Sequence, residues 1–536
     1  NAVVGDEVSV GPFARLRPKV DVRDNAKIGN FVEIKNAVIG EGTKVSHLAY
    51  VGDAEIGKDC NIGCGAIFVN YNGRTKSRTT VGDDCFIGSN CNIIAPVNIA
   101  AGSYICAGTT VTDDINTDDF VIGRVRQEVK ANRAHEYLKI KAYKMGLFFG
   151  TDGLRGKVNE DLTFDIAYKI GNALSILKEK PTVLIGSDTR ISNTYLTLGV
   201  ASGAMSGGAK VIDAGVVPTA GVAYLTRKIK ADYGVVVSAS HNGGEYNGIK
   251  VFNSDGYKLG DKEEERIERC FIHEKTNDFP NIGTYEQDFT LIKQYRKFLV
   301  DASENSLAGK TIVLDCAYGA AHRIAPDVFR RLGANVVAAN AVYDGLNINN
   351  GCGALYPDNL VRRVYRYKAD MGFAFDGDSD RLIAVDEKGR IIDGDMIICG
   401  IAKYLKSKGK LKGDTVVGTS HTNMAIEDEL KRNGINMLRT DIGDKYVLAK
   451  LLEKDLSLGG EQSGHIILKD VATTGDGILS AIIVANLVIN ENRPMSAIFD
   501  TELYPQTNKN VIVGDKFRIM NNEELLKEIV KYNGEL

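Results

Sequence analysis

Branched apolar residues recur at every sixth position along one stretch of the chain: Val81, Ile87, Ile93, Ile99, Ile105 and Val111. An amphipathic helix repeats its apolar residue every three to four positions and a half-buried strand every two. A step of six fits short strands joined by tight corners. In each step the apolar residue points inward, and a small residue after it lets the chain turn. Gly82 and Gly88 follow the first two apolar positions, and Ala100 and Cys106 follow later ones. An earlier register gives Ile39, Val45 and Val51, then Ile56 and Ile62. Residues 1–123 therefore predict a triangular parallel β-helix built of hexapeptide repeats. The period breaks over 13 residues, Phe68 to Thr80, and loops leaving a solenoid are where function collects.

From Arg124 to about residue 145 the period stops and basic, helix-forming residues predict a tail and linker. An alternating β/α pattern follows. Strand-like runs are Thr182–Ile185, Lys210–Ile212, Tyr233–Val237, Thr311–Leu314, Met371–Phe375 and Thr415–Val417, with helix-like Phe164–Lys178 and Ala325–Leu332 among the segments between. This predicts a multidomain chain with mostly parallel sheets in α/β units at 146–300, 301–400 and 401–497, and the start of a fourth at 498–536. Asn1 begins inside the repeat without a methionine and Leu536 follows a charged run, so both ends read as cut.

A net charge of -3 implies no broad basic surface for nucleic acid. No apolar run reaches the roughly 20 residues of a membrane span. The nine cysteines are scattered without a C-x-x-C pair, so reduced, cytoplasmic thiols are expected.

Asp376-Gly377-Asp378-Ser379-Asp380-Arg381 follows the run Met371–Phe375. Three carboxylates at alternate positions suit a hard cation such as magnesium. A solvated acidic turn is the plain alternative. A calcium loop is another, since Glu387 falls at its twelfth position, but Arg381 stands where that loop needs glycine. Upstream, Ser240 in Ser238-Ala239-Ser240-His241-Asn242 ends an apolar run, with Lys250 nearby. A serine there is a turn residue or a phosphoryl carrier, which would split one hard transfer into two easier ones. Arg155, Arg190, Lys250 and Arg381 are the cations that could share the phosphate charge.

With Gly459-Gly460-Glu461-Gln462-Ser463-Gly464-His465, these motifs resemble the α-D-phosphohexomutase superfamily from Gly146 onward. Gln462 aligns the chain with the phosphoglucosamine mutase branch. The resemblance implies that phospho-Ser240 exchanges its phosphoryl group with glucosamine 6-phosphate through glucosamine 1,6-bisphosphate, releasing glucosamine 1-phosphate. It makes Ser240, Asp376, Asp378 and Asp380 magnesium ligands. It places Glu461, Ser463 and His465 at the sugar hydroxyls, keeps Arg155, Arg190 and Arg381 as substrate-binding cations, and gives proton transfer to Lys250 or His241. Gly243, Tyr318 and Lys445 depart from the usual proline, asparagine and arginine. The phosphate-gripping R-P-S-G-T type loop of the family's fourth domain is absent, so a mutase impaired in turnover is expected.

In the repeat, Arg17 and Lys35 could form a phosphate pocket or a solvated basic face, and a lone His47 reads as a surface residue. Gly11 to Arg124 as a whole resembles the C-terminal acetyltransferase domain of the bifunctional enzyme that makes UDP-N-acetylglucosamine. The resemblance rests on Arg17-Pro18, Val32-Glu33-Ile34-Lys35, His47-Leu48-Ala49-Tyr50, Asn61-Ile62-Gly63 and Asn70-Tyr71-Asn72-Gly73. It implies a left-handed coil and a homotrimer with shared sites. His47 would be the general base. Arg17, Lys35, Tyr50, Asn61 and Lys76 would bind the sugar phosphate. Cys64, Asn70, Tyr71, Ser89, Ala107 and Arg124 would line the acetyl-CoA site, with Cys64 in place of a usual alanine. The uridylyltransferase domain of that family is absent. The two halves would then perform consecutive steps on glucosamine 1-phosphate. A non-catalytic trimeric scaffold that binds phosphosugar is the alternative.

Overall fold

The computed structural model describes residues 1–124, 149–150, 153–272 and 282–507, with a few single positions beyond. All but Arg124 of the linker expected at 124–145, Thr151-Asp152 and most of 508–536 lie outside the described residues. The chain divides into two compact units, Asn1–Lys139 and Ile140–Leu536.

The first unit is a parallel coil with three faces. The first face runs from Val3–Val4 through Asp21–Val22 and Val38–Ile39 to Asn98–Ile99, the second from Ser9–Val10 to Phe120–Val121, and the third from Arg15–Leu16 to Thr110–Val111. All pairings within the faces are parallel, for example Val22 beside Ile39 and Ile34 beside Val51. Val22, Ile28, Ile34, Ile39, Val45 and Val51 are fully buried in one apolar stack. Burying each such side chain contributes about 1.5–3 kcal/mol. Gly29 is required at its corner, because a Cβ there would sit 1.7 Å from the Ser46 carbonyl oxygen. The interruption is shorter than its sequence suggests. Phe68 is buried inside the strand Ile67–Val69, and Thr79–Val81 is already the next strand, so only residues 70–78 leave the coil.

The second unit holds three sheets. The first has seven strands, with Gly153–Lys157, Tyr246–Asn253, Tyr233–Val237, Thr182–Ser187, Lys210–Val216 and Thr284–Gln287 in that spatial order after Phe149–Gly150. The second has five strands around Thr311–Asp315 and Met371–Phe375, and the third has four around Thr415–Thr419 and Leu458–Gly460. Helices Phe164–Leu177 and Ala321–Arg331 lie between strands, the latter starting four residues before the expected Ala325. One apolar core runs from Leu184 to Phe499 through all three sheets.

Each sheet departs from the parallel expectation in the same way. Tyr233–Val237 turns back into Tyr246–Asn253, Met371–Phe375 into Leu382–Asp386, and Leu458–Gly460 into Ile466–Leu468, all antiparallel. The three motif loops are the tips of these three hairpins. No helix among the described residues is long and apolar enough to cross a membrane.

Candidate functional site

The tips of the first two hairpins meet. Ser240 Oγ donates to Asp376 Oδ2 at 2.6 Å. Gly377 allows this approach, since a Cβ on it would lie 2.5 Å from the Ser240 carbonyl oxygen. Ser240 is fully buried and held at φ 52°, a left-handed conformation that costs a serine free energy and persists only where the surroundings enforce it. Arg190 supplies the enforcement. Its Nη2 donates to the carbonyls of Ser240 (3.0 Å) and Asn242 (2.8 Å), and its Nη1 to those of Tyr246 (3.0 Å) and Gly243. Its Nε pairs with Asp188 Oδ2 at 2.9 Å, with both side chains fully buried. Asn349 adds donors to the Ser240 and Asn242 carbonyls at 2.8 and 2.9 Å. Arg190 is therefore not a phosphate ligand, as its sequence position suggested. Its guanidinium is committed to the backbone of the serine loop.

Asp376, Asp378 and Asp380 offer ligand oxygens all within 4.8 Å of one another, and the three side chains are buried. That rules out a solvated turn. The flanking segments are strands, and Glu387 accepts from the Ser496 N–H at 3.1 Å, so the calcium-loop alternative also fails. Burial, then the charges of Asp380 and Asp378, push the Asp376 carboxyl well above its ordinary range. Burial would raise Asp380 too, but Lys250 and His465 hold it well below. Lys250 Nζ lies 2.8 Å from Asp378 Oδ2 and 3.2 Å from Asp380 Oδ2, and Thr219 Oγ1 donates to Asp378 Oδ2 at 2.6 Å. Asp378 Oδ1 and Asp380 Oδ1 are buried without a hydrogen-bond partner among the described residues. Carboxylate oxygens without hydrogen bonds in an acidic cluster fit a divalent cation, which prefers oxygen ligands.

His241 Nδ1 lies 3.5 Å from Ser240 Oγ. Burial first, then Arg381 and Arg155, lowers its pKa to about 4, so it is neutral near pH 7. Arg155 Nη1 donates to Asn242 Oδ1 at 3.1 Å, which places it against the same loop. On the third hairpin, Glu461 and Ser463 join Arg381, Thr419 and His421 around a cavity of about 390 Å³. Ser463 Oγ is buried and has no hydrogen-bond partner among the described residues. His465 is not in that cavity. It is buried behind the loop, with Nδ1 3.6 Å from Asp380 Oδ2 and Nε2 near the Gly475 N–H. Asp188, Thr219 and Asn349 were missed in the sequence. Asp188 alone carried a signal, an acid two residues before Arg190 at a buried strand end.

The coil separates its candidates by corner. Leu16 pairs with Ile34, which puts Arg17 level with Lys35, and Lys35 pairs with Gly52. The Tyr50 hydroxyl leans over Gly52, 2.5 Å from where a Cβ would stand. Lys76, on the loop, lowers the pKa of half-buried Lys35, and burial and the nearby Arg17 lower it further. These like charges form an anion-seeking corner between the third and first faces. Arg17 is paired with Glu33 at 2.9 Å. Asn70 is buried here and donates to Asp53, with the Tyr71 hydroxyl bonding the Gly73 carbonyl at 2.7 Å.

His47 stands at the next corner, between the second and third faces. The pairings Lys44–Asn61, Asn61–Phe86 and Phe86–Tyr104 put His47, Cys64, Ser89 and Ala107 in one column, all exposed. Arg124 donates to the Ala107 carbonyl at its end. Asn61 lies on the second face itself. One coil therefore does not unite His47 with Arg17 and Lys35, nor Asn70 and Tyr71 with the Cys64 column.

The phosphoglucomutase/phosphomannomutase family models match in order: α/β/α domain I at residues 146–278, domain II at 290–389 and domain III at 393–505. A bacterial transferase hexapeptide model matches residues 78–113. Phosphoglucosamine mutase of Caldanaerobacter subterraneus subsp. tengcongensis is 44% identical over 402 residues, 73% of this chain and 90% of that protein. The enzyme of the same name from Clostridioides difficile is 45% identical over 396 residues, 72% of this chain and 88% of that one. Among solved structures, a phosphoglucomutase/phosphomannomutase family protein from Burkholderia thailandensis superposes with a TM-score of 0.60 at 26% identity, covering 67% of this chain and 80% of its own.

Proposed function

We propose, of a chain that belongs to the phosphoglucosamine mutase family, that its second unit interconverts glucosamine 6-phosphate and glucosamine 1-phosphate through phospho-Ser240 and glucosamine 1,6-bisphosphate. The observation that carries this is Ser240 Oγ 2.6 Å from Asp376 within a buried three-carboxylate cluster. Asp376, Asp378 and Asp380 would hold magnesium together with the Ser240 oxygen, and the ion would neutralise charge on the transferring group. The protein's own groups do the positioning. Arg190 and Asn349 fix the serine loop so that Ser240 Oγ faces the cluster. Glu461 and Ser463 bind sugar hydroxyls in the adjoining cavity, with Arg381 nearest the carboxylates.

Transfer forms a bond from the sugar hydroxyl oxygen to phosphorus and breaks the bond to Ser240 Oγ. The hydroxyl proton leaves to a base and Ser240 Oγ regains one. His241, neutral and 3.5 Å from Ser240 Oγ, and Lys250, buried against Asp378 and Asp380, are the two groups placed to exchange those protons. The reverse transfer, from the other end of the bisphosphate, restores phospho-Ser240.

For the coil we propose acetyl transfer from acetyl-CoA to the amine of glucosamine 1-phosphate, with His47 as general base. It would wind left-handed and assemble as a homotrimer. The cationic corner of Arg17, Lys35 and Lys76 and the His47 column stand at different corners, which supports sites completed by a second copy. Two assays test these readings. Glucosamine 1,6-bisphosphate with magnesium should load one phosphoryl group onto the chain by intact mass, and Ser240→Ala should abolish loading. Coenzyme A release from acetyl-CoA and glucosamine 1-phosphate should require His47. If neither phosphoryl loading nor coenzyme A release occurs, the chain is a phosphosugar-binding scaffold instead.

A further inference from the structure

Gln462 stands in the sugar cavity beside Glu461 and Ser463, yet half of its amide is already committed. Its Nε2 donates to Asp393 Oδ2 at 3.2 Å, and its backbone carbonyl accepts the Gly394 N–H at 3.0 Å. Asp393 is itself fixed as the N-cap of the helix Gly394–Ser407, with Oδ1 accepting the Met396 N–H at 3.0 Å. Gly394 permits the close approach, because a Cβ on it would lie 2.1 Å from the Glu461 carbonyl oxygen. One neighbouring turn therefore pins Gln462 by both its backbone and its side chain.

An amide can present either its oxygen or its nitrogen, and the partner at its other end decides which. A carboxylate only accepts, so Asp393 takes the NH2 group and leaves the oxygen. Burial raises the pKa of Asp393, while the Met396 N–H and the Gln462 amide favour its charged, accepting form. Gln462 is half-buried, and its Oε1 is accessible and makes no hydrogen bond among the described residues. Glu461 is alike: Oε1 accepts the Gly443 N–H at 3.0 Å, and Oε2 has no hydrogen-bond partner among the described residues. Thr419, His421 and Ser463 in the same lining can each donate or accept, which suits a hydroxyl. Gln462 Oε1 and Glu461 can only accept, and they bring one negative charge. That pair suits a cationic donor. We propose that Gln462 Oε1 is the specificity-determining contact for the 2-ammonium group of the sugar phosphate, and that Asp393 is the positioning residue that holds it as an acceptor. This rests on the mutase reading above and states how that site distinguishes an amino sugar from its 2-hydroxyl counterpart.

The test loads Ser240 of the full chain with a phosphoryl group from glucosamine 1,6-bisphosphate. Discharge is then followed by intact mass with glucosamine 6-phosphate and with glucose 6-phosphate, at equal subsaturating concentrations. The readout is the ratio of the two rates within each variant, which a merely structural role would not move because it slows both sugars. The wild-type ratio should favour the amino sugar by about 10-fold or more. Gln462→Met should bring the ratio near one by slowing the amino sugar alone. Asp393→Asn keeps a capping side chain but can donate to Oε1 and let the amide turn over. It should therefore erase the preference as well, without touching the sugar. The two changes together should lose no more than either alone. A wild-type ratio near one, a ratio kept by Gln462→Met, or equal slowing of both sugars overturns the proposal. A ratio kept by Asp393→Asn overturns the role of Asp393. A phosphoserine that never forms, or that neither sugar discharges, overturns the mutase reading and this inference with it.

Discussion

Replacing Arg190 with methionine separates two roles that its position allows. If the guanidinium scaffolds the serine loop, its loss strikes the fold of that loop. The change breaks a buried ion pair with Asp188 and removes donors from four carbonyls. Breaking such a pair costs about 3–5 kcal/mol. Some of that is offset, because Asp188 keeps the Arg190 N–H, Asn193 and Ser238 as donors. Asn349 also keeps its bonds to two of the four carbonyls. The unsatisfied Gly243 and Tyr246 carbonyls push the other way, so a net loss near 3–4 kcal/mol is expected. Hydrogen exchange reads this locally. Amides of residues 233–253 should exchange roughly 10²–10³-fold faster, while coil peptides keep their protection. Arg190→Lys keeps the charge without the planar fork and should fall between, near 2 kcal/mol. Unchanged protection together with a raised KM for the sugar phosphate would refute the reasoning and make Arg190 a substrate ligand.

Three further outcomes follow from the same region and its neighbours. Gly377→Ala forces a Cβ to within 2.5 Å of the Ser240 carbonyl oxygen, so phosphoryl loading of Ser240 should slow at least about 10-fold with a stability loss of about 1–3 kcal/mol. An unchanged loading rate would mean that the two loops need no close approach. Thr219→Val removes the hydroxyl that orients Asp378, and magnesium affinity measured by calorimetry should drop about 10-fold. Burial raises the Asp395 pKa to about 7, above its unfolded value near 3.8. Its stabilising contribution is therefore complete below pH 3.8 and lost as pH rises through 7, about 4 kcal/mol in all. Asp395→Asn should flatten that part of the urea-denaturation profile, and an unaltered slope would assign it to other groups.

The coil interior was legible because its inward residues obey one period. The edges of its loop were not, since Phe68 and Thr79 fill inward and strand positions with residue types that break the pattern. The motif residues were legible as chemistry, and their strands as strands. The hairpins were hidden, because a fully buried strand carries the same apolar run whether its neighbour is parallel or antiparallel. Arg190 and His465 misled for a related reason. A cation or imidazole beside a motif looks the same in sequence whether it faces the ligand or the backbone behind it. Only the positions of four carbonyls, or of Asp380 and Gly475, decide between the two.

The coil also shows how a fold can confine a mistake. Val38 pairs with Glu55, seventeen residues on, whereas Ala54 pairs with Thr79, twenty-five residues on. The additional residues are spent in one loop, and the next rung, Thr80 beside Asn98, proceeds as if nothing had been inserted. Each rung consults only the rung beneath it, so a length change is forgotten one layer later. Such a chain can acquire or rewrite a loop at one corner while every other corner keeps its address.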